Sequence, residues 1–198
     1  MDLIQDAMEF ARSVFSGDSG GHDYDHTLRV YRMALRIARE ENADLETVAL
    51  AALLHDVDDR KLSPETCEDL GRARAFLTGC QYPPERTERV LHILSQVSFS
   101  AGRVPDTLEG KCVQDADRLD AMGAIGIART FAYGGSKGRP LHDPAGQDPS
   151  TSVQHFYDKL LRLKAMMNTD SGRRLAAPRH EFLETFLEEF LREWEEEV

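Results

Sequence analysis

An apolar run over residues 48–54 ends directly in the pair His55-Asp56. Leu45 and Ala52 lie at helical spacing with His55, so the run predicts a helix with His55 on its apolar stripe. Buried charged side chains are costly unless they are paired or bound to a metal ion. The pair therefore limits the fold to one that gathers polar partners at the end of a buried helix.

Two more residues of the metal-ligand type lie on inward faces of other predicted helices. His26 is near the start of a helix over about 23–42, and the apolar residues that follow it at three-to-four spacing place it on the core face. Asp117 lies on the apolar side of a helix predicted over about 111–133. Two imidazoles and two carboxylates suit a divalent cation. A hydrogen-bonded polar site without a metal is the alternative that spacing alone leaves open.

The rest of the chain also reads as helices, with no repeat and no convincing alternating strand. A length of 198 residues is enough for one domain with its own core. We therefore expect a single all-α domain over 1–198, with a core at about 20–135 and C-terminal helices at 151–195 packed on it. The long segment 134–150 is expected to be a loop, typical of a functional lid.

Two local patterns add detail to this helical interpretation. Pro64 after Ser63 is typical of a first helical turn and predicts a helix that starts there. Aromatic residues recur four apart in the last predicted helix, a spacing that favours core packing and also suits a homodimer interface. They are Phe182, Phe186, Phe190 and Trp194.

Beyond these patterns, the sequence resembles the HD-domain phosphohydrolase superfamily, whose motif matches His26, His55-Asp56 and Asp117. The similarity extends to a subgroup of small stand-alone bacterial proteins that includes nucleotide pyrophosphohydrolases. The stretches that carry it are 22–30, 51–56, 114–121 and 155–160. The resemblance implies a helical domain with a central metal site.

The same resemblance implies that His26, His55, Asp56 and Asp117 are metal ligands. We expect one divalent ion, with Mn or Mg favoured and Fe, Co or Ni also compatible with nitrogen and oxygen donors. Such an ion lowers the pKa of a bound water and withdraws charge from phosphoryl oxygens. His92 is the candidate for a second metal, which a few relatives of this kind use.

Two acids are candidates to orient the attacking water, Asp59 one turn past Asp56 and Asp120 one turn past Asp117. For Asp59, a helix cap or an ion pair with Arg60 or Lys61 is the alternative. Basic residues near the motifs or in the long loop are candidates for phosphate contacts, although each has a plain surface role as its alternative. They are Arg29, Lys61, Arg118, Lys137 and Lys159.

Charge and cysteine usage limit the partners and the compartment. The net charge of −11, from 24 basic and 35 acidic residues, makes long nucleic acid an unsuitable partner. Three scattered cysteines indicate a reducing compartment. The acidic N-terminus has no long apolar run, so we expect no membrane segment and a cytoplasmic location.

These observations predict a metal-dependent phosphohydrolase that acts on a small phosphorylated substrate. The main hypothesis is pyrophosphate release from a nucleoside triphosphate by a metal-activated water. A 5′-nucleotidase or a phosphodiesterase for a signalling nucleotide is the enzymatic alternative. A metal- or nucleotide-sensing module without turnover is the alternative from another class.

Overall fold

The computed structural model of the chain describes residues 2–15, 23–59, 63, 65–97 and 103–195. All regular structure in these residues is helical, so the predicted all-α fold is confirmed. A 3₁₀ helix, Leu160–Met166, lies between the last two α-helices. The α-helices in chain order are α1 Leu3–Val14, α2 Tyr24–Glu41, α3 Leu45–Leu54, α4 Gly71–Gly79, α5 Pro84–Val97, α6 Leu108–Asp120, α7 Gly123–Ser136, α8 Ser152–Asp158 and α9 Asp170–Trp194.

The chain divides into two compact units, one up to Asp117 and the other from Arg118 onward. The single domain expected over 1–198 stays a prediction. Within the described residues, no helix combines the length and the apolar character that a membrane crossing needs.

Helix α3 is the centre of the first unit, where it contacts α1, α2 and α5. Every residue from Thr47 to Leu54 is buried, as expected of a helix that is apolar on all sides. Asp44 begins the helix by accepting a hydrogen bond from the Thr47 amide at 2.9 Å. The helix ends at Leu54, so His55 and Asp56 lie in the turn that follows it.

Two helix boundaries differ from the expectation. Helix α4 begins at Gly71 rather than near Pro64, because turns occupy 65–70 and Leu70 adopts a left-handed conformation with φ of 56°. The helix expected over 111–133 is two helices, α6 and α7, separated at Ala121 and Met122. Gly123, the first residue of α7, has a φ of 68°, a left-handed conformation that favours glycine.

The second unit is held by a cluster of aromatic rings. Phe156 is fully buried and lies 5.8 Å from the Phe186 ring and 6.0 Å from the Phe131 ring. Phe190 continues the cluster, with its centroid 5.9 Å from that of Phe131. Core packing therefore holds for part of the predicted stripe, whereas Phe182 is 49% exposed. The homodimer remains a prediction.

Candidate metal centre

Helix α2 places His26 in the core by means of its N-cap. Asp23 accepts a hydrogen bond from the His26 backbone amide at 2.6 Å, which fixes the first turn of the helix. The His26 residue is only 2% exposed, as the helical spacing predicts. Its Nε2 atom then faces the end of α3.

The turn after α3 orients the second imidazole. His55 Nδ1 donates a hydrogen bond to the Ala52 carbonyl oxygen at 2.8 Å, which leaves Nε2 as the nitrogen available to a ligand. That Nε2 lies 3.3 Å from Nε2 of His26. Two imidazole nitrogens from different helices therefore meet at one point.

Both motif carboxylates approach the same point. Asp56 Oδ2 lies 3.1 Å from His55 Nε2 and 3.5 Å from His26 Nε2. Asp117 Oδ1, from α6, lies 3.5 Å from His26 Nε2. His26, His55 and Asp117 each offer a ligand atom within 4.8 Å of the others. The structure therefore brings together all four residues that the sequence singled out.

The electrostatics of the cluster favour a cation. Burial by itself lowers the pKa of His55, but the charge and hydrogen bond of Asp56, with the charge of Asp117, outweigh it and raise that pKa to about 9. The negative charge of the carboxylates therefore favours a positive charge at this position. A metal ion needs the neutral imidazole, so proton and metal compete for the same position.

The donor set fits a divalent ion. It offers two imidazole nitrogens and carboxylate oxygens without a thiolate, a combination suited to ions such as Mn, Fe, Co or Ni. The side chains are close enough to share one ion, and none of the four is more than 29% exposed. The geometry and the donor set therefore identify a candidate His/His/Asp metal centre.

Two of the remaining candidates lie on the helix or turn that carries a ligand. Asp59 follows Asp56 by one turn, and its amide donates to the Asp56 carbonyl at 3.0 Å. Arg29 lies one turn along α2 from His26 and is half-buried. Lys61 lies outside the described residues.

The sequence pattern does not single out Asp58, which lies between the candidates Asp56 and Asp59. Asp58 is buried and accepts hydrogen bonds from the first amides of α4. The amides that donate to it lie 14 and 15 residues further along the chain, so helical spacing gives no signal for them.

Two candidates of the second unit make hydrogen bonds within that unit. Asp120 is buried, and its Oδ2 accepts a hydrogen bond from Arg129 Nη1 at 2.6 Å. Arg118 is also buried and donates to the Met166 carbonyl. These contacts support structural roles, while the catalytic and phosphate-binding roles stay predictions.

The loop and α8 candidates also belong to the second unit. Lys137 is exposed with its Nζ 5.6 Å from the Tyr133 ring centroid, and Lys159 is half-buried just after α8. In the first unit, exposed His92 pairs with Asp106 at 3.0 Å. Among the described residues, the ligand atoms that lie close enough together to share a metal ion belong to His26, His55 and Asp117. His92 is not part of this cluster.

Comparisons with known proteins agree with this geometry. The family model of the HD domain matches residues 23–122, a range that contains all four motif residues. The protein YpgQ of Bacillus subtilis is 40% identical over 193 residues, which cover 96% of this chain and 90% of that protein.

Solved structures extend the likeness to the whole chain. The crystal structure of Bacillus subtilis YpgQ in complex with ADP is 42% identical, with a TM-score of 0.81, and the match covers 94% of this chain and 97% of that one. A structure of an HD-superfamily hydrolase from Bacillus thuringiensis is 40% identical, with a TM-score of 0.80 and coverage of 98% and 97%.

Proposed function

Because the chain belongs to the HD-domain family and is a metal-dependent phosphohydrolase, we propose that its substrates are nucleotides. The proposed reaction is the release of pyrophosphate from a nucleoside triphosphate. The observation that carries the proposal is the convergence of two imidazoles and two carboxylates on one buried point. The complex of the relative YpgQ with ADP supports a nucleotide as the ligand.

In this proposal, His26, His55, Asp56 and Asp117 hold one divalent ion, with Mn or Mg favoured. When bound, such an ion supplies positive charge that acidifies water and withdraws charge from phosphoryl oxygens. The hydrogen bond from His55 Nδ1 to Ala52 fixes the tautomer that presents Nε2. The Asp23 cap holds His26 at the start of α2.

Carboxylates next to the ligands are proposed to orient water and to take its proton. Asp59 is suited to this role because its backbone follows the Asp56 turn directly. Asp120 is the other candidate, and its ion pair with Arg129 gives it a structural alternative. The water oxygen bonds to the α-phosphorus, the bond from that phosphorus to the α–β bridging oxygen breaks, and a carboxylate accepts the proton.

Basic side chains are proposed to bind the phosphate oxygens and so offset the acidic character of the chain. Arg29 is on the ligand-bearing helix α2, and Lys137 is at the end of α7. The full set of proposed phosphate contacts is Arg29, Lys61, Arg118, Lys137 and Lys159.

Product analysis tests the proposal. Purified metal-stripped protein is incubated with a panel of nucleoside triphosphates, monophosphates and cyclic nucleotides, each with Mn, Mg, Co or Ni. We expect nucleoside monophosphate and pyrophosphate in equal amounts from a triphosphate. Release of orthophosphate from a nucleoside monophosphate would instead support a nucleotidase. Conversion of a cyclic nucleotide into a nucleoside monophosphate would support a phosphodiesterase. Binding without turnover would support a sensing module.

A further inference from the structure

Asp58 is a buried carboxylate in the turn that carries the ligand pair, two residues past Asp56. The residue is only 6% exposed, which is unusual for an aspartate without a metal or a partner. It does not belong to the metal cluster. Its burial therefore has to be explained by the groups that it contacts.

Both oxygens of Asp58 bind the start of α4. Oδ1 accepts from the Thr66 hydroxyl at 2.5 Å and from the Arg72 amide at 3.0 Å, and Oδ2 accepts from the Ala73 amide at 2.9 Å. Helix α4 has no side-chain cap of its own at Leu70. Asp58 thus supplies, from a distant part of the chain, the cap that the first amides of a helix need.

The backbone around Asp58 is fixed on both sides. The Val57 amide donates to the Leu54 carbonyl at 3.3 Å, and the Val57 carbonyl accepts from the Ser63 hydroxyl at 3.0 Å. The Ser63 amide also donates to the Asp59 carbonyl at 2.7 Å. A turn held at these points transmits the position of Asp58 to Asp56, because only one residue separates them.

We infer that Asp58 is a positioning residue, which fixes the His55-Asp56 turn against α4 and thereby sets the place of two metal ligands. The inference rests on the proposed function, in which His55 and Asp56 are ligands. Metal ligands have to lie within a few tenths of an ångström of their ideal distance, roughly 0.2 Å. A carboxylate that anchors the turn therefore influences metal affinity without touching the ion.

The test compares Asp58→Asn with the wild type in metal-stripped protein titrated with Mn²⁺ at 10 °C, where the fold is checked by circular dichroism. Asparagine keeps one oxygen acceptor but places an amino group where the second carboxylate oxygen accepts the Ala73 amide. We expect the Kd for Mn²⁺ to rise about tenfold or more, in the range seen when groups that support metal ligands are removed. Excess Mn²⁺ should restore kcat, because the ligands themselves remain.

Two further variants make the test specific. Thr66→Val removes one of the three bonds to Asp58 and is expected to raise the Kd less, by a few-fold. Asp44→Ala, which removes the cap of α3, should lower Tm while the Kd stays unchanged. If Asp58→Asn fails to fold, Thr66→Val decides, and an unchanged Kd in that variant overturns the inference.

The outcomes separate this inference from the proposed function. If the wild type binds Mn²⁺ and folded Asp58→Asn binds it equally well with only a lower Tm, Asp58 has a structural role and the inference fails alone. If the wild type binds no divalent ion, the ligand assignment fails and the inference falls with it.

Discussion

Replacing Asp56 by alanine should remove the stabilisation that a bound metal gives to the protein. The Asp56 carboxylate lies against both imidazoles, with its Oδ2 3.1 Å from His55 Nε2 and 3.5 Å from His26 Nε2. Its loss leaves three of the four donors, with Asp117 as the remaining carboxylate. We therefore expect the helical fold to persist and the metal affinity to fall.

The size of the effect follows from binding linkage and chain length. At a metal concentration 100 times the Kd, the bound ion stabilises the wild type by about 2.7 kcal/mol. For a chain of 198 residues, each kcal/mol shifts Tm by roughly 2–4 °C, so the metal should raise Tm by roughly 5–11 °C. Replacing a group that only supports a ligand lowers metal affinity by up to about 100-fold. If the loss of Asp56 lowers affinity by the same factor, the metal stabilises the variant by only about 0.4 kcal/mol and raises its Tm by roughly 1–2 °C.

Differential scanning calorimetry of metal-stripped protein with and without Mn²⁺ measures this difference directly. Asp25→Ala is the matched control, because Asp25 is an exposed aspartate in the first turn of the same helix as His26. The control should keep the metal-induced rise in Tm. An equal rise in Asp56→Ala and wild type would refute the reasoning, since Asp56 would then contribute nothing to the site.

Three further predictions concern the second unit. Burial, together with the charges of Lys159 and Arg139, lowers the pKa of His155, so the folded state favours the neutral imidazole. The stability that the neutral His155 contributes is present above about pH 6.5 and is lost as the pH falls and the unfolded chain binds the proton more readily. His155→Gln should therefore flatten the fall in Tm as the pH decreases below about 6.5, and an unchanged slope would contradict this. Phe156→Ala should cost about 3–5 kcal/mol in urea unfolding, because its ring is fully buried; a loss below about 1 kcal/mol would contradict the packing. Asp120→Asn should lower stability through the lost ion pair with Arg129, and a fall in kcat at equal Tm would instead identify a catalytic acid.

Helical periodicity was enough to predict that the motif side chains face inward, whereas their role as metal ligands comes from the family resemblance and stays a prediction. His26 and Asp117 each lie on an apolar face, and that face points inward whenever the helix packs on a core. The doublet His55-Asp56 follows a helix whose last eight residues are all buried, so its position at the inner end of α3 also follows from the sequence. These features are local, and the structure confirms that they converge.

Features that depend on the path of the chain could not be predicted in the same way. The partners of Asp58 are Thr66, Arg72 and Ala73, and within that stretch Leu70, a residue with no preference for positive φ, takes a left-handed conformation. The break between α6 and α7 lies in a stretch with continuous helical pattern, where Gly123 gave the only cue. At Gly126, the Ala121 carbonyl lies too close to where a Cβ would be for any residue other than glycine to fit without a shift.

The metal dependence of pyrophosphate release tests the central claim most directly. Metal-stripped protein is titrated with Mn²⁺ in the presence of a nucleoside triphosphate, and bound metal and released pyrophosphate are measured on the same samples. The account predicts no release without metal and a rate that rises in proportion to bound Mn²⁺ up to one ion per chain. Release that continues at the full rate in metal-stripped protein, or the absence of release when one ion is bound per chain, would contradict it.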